Sequence, residues 1–204
     1  MRLIVATRNP AKVEQFARLV GDLATVEPLP PDGDDAPEDA HTLEENAIAK
    51  AVFWSRRIDR GELVAATDGG LLMPALGNRW DPVQTRRFAG AVGDLDRARA
   101  LLALAHDLTG DGRRIDWQEA LALARDGTLL TSWVATGVPG LLARDVDPGA
   151  IAAGQGFWIP ALWICPESGG RRLAELSAEE LASRPDHWWR LGTVLRASLA
   201  SVAA

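Results

Sequence analysis

The chain has 204 residues, 47% of them apolar and 25% charged, and a net charge of −6. This length and composition suit one globular domain, or two intimate lobes, with ample core. The acidic balance argues against a broad nucleic-acid-binding face. The single cysteine, Cys165, excludes an intrachain disulfide. No apolar run nears the roughly 18 residues that a membrane span needs, and the first, Leu3 to Ala6, is too short for a signal peptide. A soluble cytoplasmic protein, with neither membrane nor nucleic acid as partner, is expected.

Residues Arg2 to Thr7 predict a strand, and Arg8-Asn9-Pro10 a turn. Pro10 suits a first helical turn, and Val13, Phe16, Ala17 and Val20 follow at helical spacing. A short strand is expected within Gly21 to Val26. Pro28 to Pro37, with four prolines and three aspartates, reads as a mobile flap. Thr42-Leu43-Glu44-Glu45 matches a capping box and opens a helix to about Ile58. Leu63 to Ala66 predicts a buried strand ending in Thr67-Asp68-Gly69-Gly70, whose glycines mark a sharp turn or a close backbone approach to a ligand. Asp94 is the expected cap of a helix reaching Leu108. Ile115 to Ala124 and Leu129 to Thr136 form a hairpin around Arg125-Asp126-Gly127. A strand over Val138 to Ala143, a loop over Asp145 to Gly156 and an apolar run over Phe157 to Cys165 follow. Ser177 caps a short helix, and a last helix covers His187 to Val202. The alternation of strands and helices gives an α/β class, read as a single domain over 1–204.

Of 22 basic side chains only Lys12 and Lys50 are lysines. A compact ammonium against phosphate is one place where arginine does not substitute. Glu45 near a helix start and Asp68 beside glycines are reasonable magnesium ligands, since magnesium takes few carboxylates together with water and phosphate oxygens. Each has a plainer reading: a solvated acid in a first turn for Glu45, a turn residue for Asp68, a turn former for Asn9, surface solvators for the lysines. His41 and His106 have no ligand set around them. Most of the eight tryptophans read as core and interface packing, although one or two of Trp158, Trp163, Trp188 and Trp189 could touch a base. No Walker phosphate loop, dinucleotide fingerprint, zinc cluster or serine-nucleophile elbow is present.

Several segments, in order, resemble the inosine triphosphate pyrophosphatase family. Ala6-Thr7-Arg8-Asn9-Pro10-Ala11-Lys12 is similar to its T-G-N-P-x-K signature, and Thr42 to Ala51 to its T-F-x-E-N-A-x-x-K-A helix. Thr67-Asp68-Gly69-Gly70-Leu71 sits where the family has D-D-S-G-L. Ala75-Leu76-Gly77 and Thr85-Arg86-Arg87-Phe88-Ala89-Gly90 match A-L-x-G and S-A-R-Y-A-G, and Gly156-Phe157 and Ala174 to Ser177 echo its C-terminal motifs. The resemblance implies a long twisted mixed sheet flanked by helices, two lobes with a central cleft, and a homodimer. It also implies hydrolysis of a non-canonical nucleoside triphosphate to monophosphate and pyrophosphate with Mg2+. Glu45 and Asp68 become the metal-binding and catalytic acids. Thr7, Asn9, Lys12, Lys50, Gly69, Thr85, Arg87, Phe157, His187 and Arg190 become substrate-binding residues.

The chain departs from the pattern in places. The first aspartate of D-D-S-G is Thr67 and the serine is Gly69; the glycine before Asn9 is Arg8. The G-F-G-Y-D-P segment becomes Gly156-Phe157-Trp158-Ile159-Pro160-Ala161, losing the acid associated with the purine. The S-H-R segment becomes Asp186-His187-Trp188-Trp189-Arg190. Phosphate and metal positions are mostly kept while base-reading positions are not, so altered or relaxed base selectivity is expected. A different nucleotide, such as a modified pyrimidine, and a decayed nucleotide-binding or regulatory protein of the same fold are the alternatives.

Overall fold

The computed structural model describes residues 1–30, 36–90, 93–154 and 156–203. Its strands are β1 (Arg2–Val5), β2 (Thr25–Pro28), β3 (Leu63–Leu72), β4 (Arg114–Arg125), β5 (Thr128–Thr136), β6 (Gly140–Leu142), β7 (Trp163–Cys165) and β8 (Arg171–Arg172). They hydrogen-bond in the order β2-β1-β3-β4-β6-β7-β8, with β5 also on β4. β1 runs parallel to β2 and β3, while β4 pairs antiparallel with β5 and β6, so the sheet is mixed. The helices are α1 (Pro10–Val20), α2 (Leu43–Ser55), α3 (Asp94–Leu104), α4 (Pro148–Ala153), α5 (Ala178–Ala182) and α6 (His187–Ala203). None among the described residues is long and apolar enough to cross a membrane.

The chain divides into two compact units. One holds Met1–Gly69, Gln118–Thr136 and Asp186–Ala204; the other holds Gly70–Trp117 and Gly137–Pro185. In the first, Leu3 and Val5 of β1, Leu63 and Ala65 of β3, and Leu121 and Leu123 of β4 share a core with Phe16 and Val20 of α1 and Leu191, Leu195 and Leu199 of α6. The leucines of α6 recur every fourth residue, which keeps them on one helical face. The residues between, Ile4 and Val64, pack with Leu29 and Trp54 of α2. Strand alternation thus sends odd-numbered β3 side chains toward α1 and α6, and even-numbered ones toward α2. The second unit has its own core around Leu71, Trp80, Leu101, Ile115, Trp158 and Trp163.

Local chemistry explains the boundaries. Asn9 accepts the Ala11 N–H and Pro10 starts α1. Thr42 and Glu45 form the reciprocal capping box of α2. Asp126 (φ 49°) and Gly127 (φ 76°) turn the β4–β5 hairpin, with the paired positive φ values of a type I′ turn.

Several expectations need correction. Thr67 to Gly70 is not a turn: β3 runs through it, because β-sheet hydrogen bonding outweighs the local turn preference of its glycines. Helix α2 stops at Ser55 rather than Ile58. Gly93, not Asp94, is the N-cap of α3; Asp94 is its first residue and pairs with Arg97 instead, and the helix ends at Leu104. The supposed loop 145–156 contains α4, started by Asp147 capping Gly149 and Ala150 and by Pro148 at its first turn. In the flap segment Pro28 ends β2, while residues 31–35 lie outside the described residues.

Candidate active site

The two lysines reach adjacent residues of β3 inside the first unit. Lys50 lies on α2 and is 8% exposed. Its ammonium donates to Asp68 Oδ1 at 2.9 Å, sits 2.6 Å from Glu38 Oε1, and lies 3.5 Å from the Thr67 carbonyl. Asn46, one helical turn earlier, donates through Nδ2 to Asp68 Oδ2 at 2.9 Å, while its Oδ1 accepts the Ala40 N–H. The i, i+4 spacing of Asn46 and Lys50 puts both donors on one face of α2. Both oxygens of Asp68 are therefore held, which fixes the carboxylate plane.

Lys12 comes from α1, on the opposite side of the strand. Its Nζ donates to Thr67 Oγ1 at 3.1 Å and to Glu119 Oε1 at 3.4 Å. Glu119 is on β4 with a side chain only 2% exposed. His187 begins α6 nearby. Burial pushes its pKa below 6.5; the charges of Glu119 and Asp186 pull it back up, and Lys12 pushes it further down. Thr67 and Asp68 thus carry two ammonium–carboxylate sets, one on each face of β3.

The remaining expected residues are placed as follows. Glu45 is exposed, and its Oε2 accepts the Thr42 N–H at 3.1 Å; the structure brings it beside Asn46 but into no contact with Asp68 among the described interactions. Thr7 accepts the Asn9 N–H. Gly69 follows Asp68 within β3. Arg190 is exposed and donates to the Thr136 carbonyl. In the second unit, Thr85 accepts the Leu71 N–H and donates to the Pro82 carbonyl, so its hydroxyl braces backbone. Arg87 is exposed. Phe157 is 51% exposed and meets Trp117 edge-on at 5.6 Å. Trp158 and Trp163 are core residues, and Trp188 packs on Phe16; Trp189 is 63% exposed. Ile159 is buried and opens a short 3-10 turn with Pro160.

Sequence reasoning missed Glu119, Asn46 and Glu38. Glu119 had a signal: it is an acid directly before the apolar run Ala120 to Ala124, in register with Leu121 and Leu123 on the expected strand. Asn46 stood inside the quoted helix motif, and its spacing to Lys50 pointed to a shared face. Glu38 had none, since it falls between the proline-rich segment ending at Pro37 and the capping box starting at Thr42.

The Ham1 family model matches residues 3–184. A dITP/XTP pyrophosphatase of Geobacillus kaustophilus is 35% identical over 184 residues, covering 87% of this chain and 84% of the relative. One from Nocardia farcinica is 32% identical and covers all of this chain and 95% of its own. Among solved structures, a HAM1 protein from Coxiella burnetii superposes with a TM-score of 0.75 at 26% identity, covering 96% of this chain and 98% of that one. A nucleoside-triphosphatase / dITP/XTP pyrophosphatase from Mycobacterium abscessus gives 0.71 at 28% identity, with 98% and 99% covered. With the family model matching residues 3–184 and relatives above 30% identity covering most of its length, the chain belongs to the Ham1 family.

Proposed function

We propose that the protein hydrolyses non-canonical purine nucleoside triphosphates to the monophosphate and pyrophosphate. One observation carries the reading: the only two lysines of the chain bond to adjacent residues of β3, Lys12 to Thr67 and Lys50 to Asp68. A triphosphate needs concentrated positive charge, and phosphoryl transfer depends mainly on positioning and electrostatics. Lys12 and Lys50 neutralise phosphate oxygens. Asn9 adds a donor through its side-chain Nδ2 at the N-terminus of α1, whose first backbone N–H groups already bond to Asn9. Asp68 orients a water toward the α-phosphorus and accepts its proton as the P–O bond to the leaving pyrophosphate breaks. Its fixed plane suits that role.

Magnesium is the cofactor that the resemblance implies, with Asp68 and Glu45 as the residues that would hold it. Asp68 and Glu45 each engage only part of a carboxylate's acceptor capacity with protein donors in the interactions described above, and the ion needs few protein ligands. Magnesium held there would polarise the phosphoryl oxygens and lower the pKa of bound water. A homodimer and a cytoplasmic setting complete the reading; both come from the resemblance and composition.

The test is pyrophosphate release by purified protein with magnesium, from a panel of dITP, XTP, ITP and canonical nucleotides. At least one substrate is expected to be cleaved, with weak discrimination among bases. Folded protein that binds nucleotide but releases no pyrophosphate from any of them overturns the proposal and favours the decayed binding protein.

A further inference from the structure

Glu119 lies where an apolar residue belongs. On β4 it shares a face with Leu121 and Leu123, which pack against Phe16, Leu191 and Leu195. Its side chain is 2% exposed. A carboxylate there carries a desolvation cost, and buried ion pairs are seldom more stabilising than apolar residues of similar volume. One partner, the Lys12 ammonium, sits on a side chain 36% exposed, so that end of the pair meets solvent. The same ammonium donates to Thr67 Oγ1, on the neighbouring strand of the sheet order. A buried acid thus tethers an accessible cation.

We propose that Glu119 is the positioning carboxylate of the active site: from β4 it aims Lys12 at the triphosphate and supplies the negative charge that β3 lacks at Thr67. The inference rests on the proposed function. Lys12 swings on a four-carbon stem with costly rotamer entropy. Two fixed acceptors, one on each strand, hold it near one position before substrate arrives. Two protein acceptors leave the third N–H of the ammonium for a phosphate oxygen. Asp68 cannot share this task, because it points to the other face and is held by Asn46 and Lys50.

The test compares wild type with Glu119→Gln, Glu119→Leu and the double variant Thr67→Asp/Glu119→Gln. Glu119→Gln is expected to lose roughly ten- to hundredfold in kcat/KM, the range set by one hydrogen bond to a charged group, with the loss mainly in kcat. Glu119→Leu is expected to lose activity while keeping its melting temperature. The double variant is expected to regain at least tenfold over Glu119→Gln, since the acid is then restored from β3. Wild-type kcat/KM in Glu119→Gln, or a double variant no better than that single variant, overturns the proposal. A physical arm needs no turnover. The chain has two lysines, hence two side-chain ammonium NMR signals, assigned with Lys12→Arg. In Glu119→Gln the Lys12 signal is expected to broaden through faster exchange with water while that of Lys50 stays; an unchanged Lys12 signal also overturns the proposal. If wild type cleaves no triphosphate, the proposed function fails, and the NMR arm still decides whether Glu119 holds Lys12.

Discussion

Replacing Asp68 with asparagine separates chemistry from packing. The side chain keeps its shape but has one oxygen and one NH2 where the carboxylate had two acceptors. In the native protein those acceptors face Asn46 Nδ2 and Lys50 Nζ, both at 2.9 Å. Asparagine satisfies one of them and turns a donor toward the other. Lys50 is not stranded, because Glu38 lies 2.6 Å away. The structural loss is one charge-assisted hydrogen bond between side chains 11% and 18% exposed, about 1–2 kcal/mol. That leaves a domain of ordinary stability, about 5–15 kcal/mol, folded. Removing a general base costs about 10²–10⁴-fold in rate, or about 3–5 kcal/mol of transition-state stabilisation. Pyrophosphate release from dITP or XTP with magnesium, beside thermal melts, reads both. The expected result is a melting temperature lowered by a few degrees and activity lowered at least a hundredfold. Activity within threefold of wild type would refute the role of Asp68.

Glu45→Gln tests the metal role without disturbing the helix. Glutamine also completes a capping box, so the melting temperature should hold while the magnesium concentration for half-maximal activity rises about tenfold. An unchanged magnesium requirement assigns Glu45 to capping alone. His187 gives a pH signature. Burial lowers its folded pKa below 6.5, so the native state resists a proton that the unfolded chain accepts. Stability contributed by the neutral ring is therefore present above pH 6.5 and lost as pH falls from there through the folded pKa. Urea midpoints between pH 5 and 8 should decline on the acid side in wild type and decline less in His187→Gln; parallel curves would contradict the assignment.

The parts of the fold set by local chemistry were legible. Asn9-Pro10, the Thr42 capping box and the Asp126-Gly127 hairpin each carry their own signal within a few residues. The parts set by partners were not. Gly69 and Gly70 look like a turn in isolation, yet β3 continues through them within the sheet. Helix α4 is six residues long, too short for a hydrophobic period, and only Asp147-Pro148 marks it. At the site, the lysines were found because the rest of the chain uses arginine. Glu119 was less legible, because polar Asp116 and Gln118 stand beside it and its burial comes from packing against α1 and α6.

Under the proposed function, the placement of the motifs would let base selectivity change while phosphate chemistry is kept. Lys12, Lys50, Asp68 and Glu119 hang on α1, α2, β3 and β4 of one unit, and each is fixed by contacts inside that unit. The segment that departs most from the family, Phe157 to Ala161, belongs to the other unit, where Trp158, Ile159 and Ala161 are absorbed into its core and only Phe157 stays largely exposed. Losing an acid there removes a specific hydrogen-bond partner, yet the apolar replacements are buried and add packing. Such an exchange costs discrimination, which rests on paired polar groups, without touching the charges that hold a triphosphate. The loss of an acid at Thr67 is different in kind, because Thr67 contacts Lys12, which the proposed function assigns to phosphate. On the proposed positioning role, a buried carboxylate one strand away, on the same ammonium, would keep that machinery electrostatically complete.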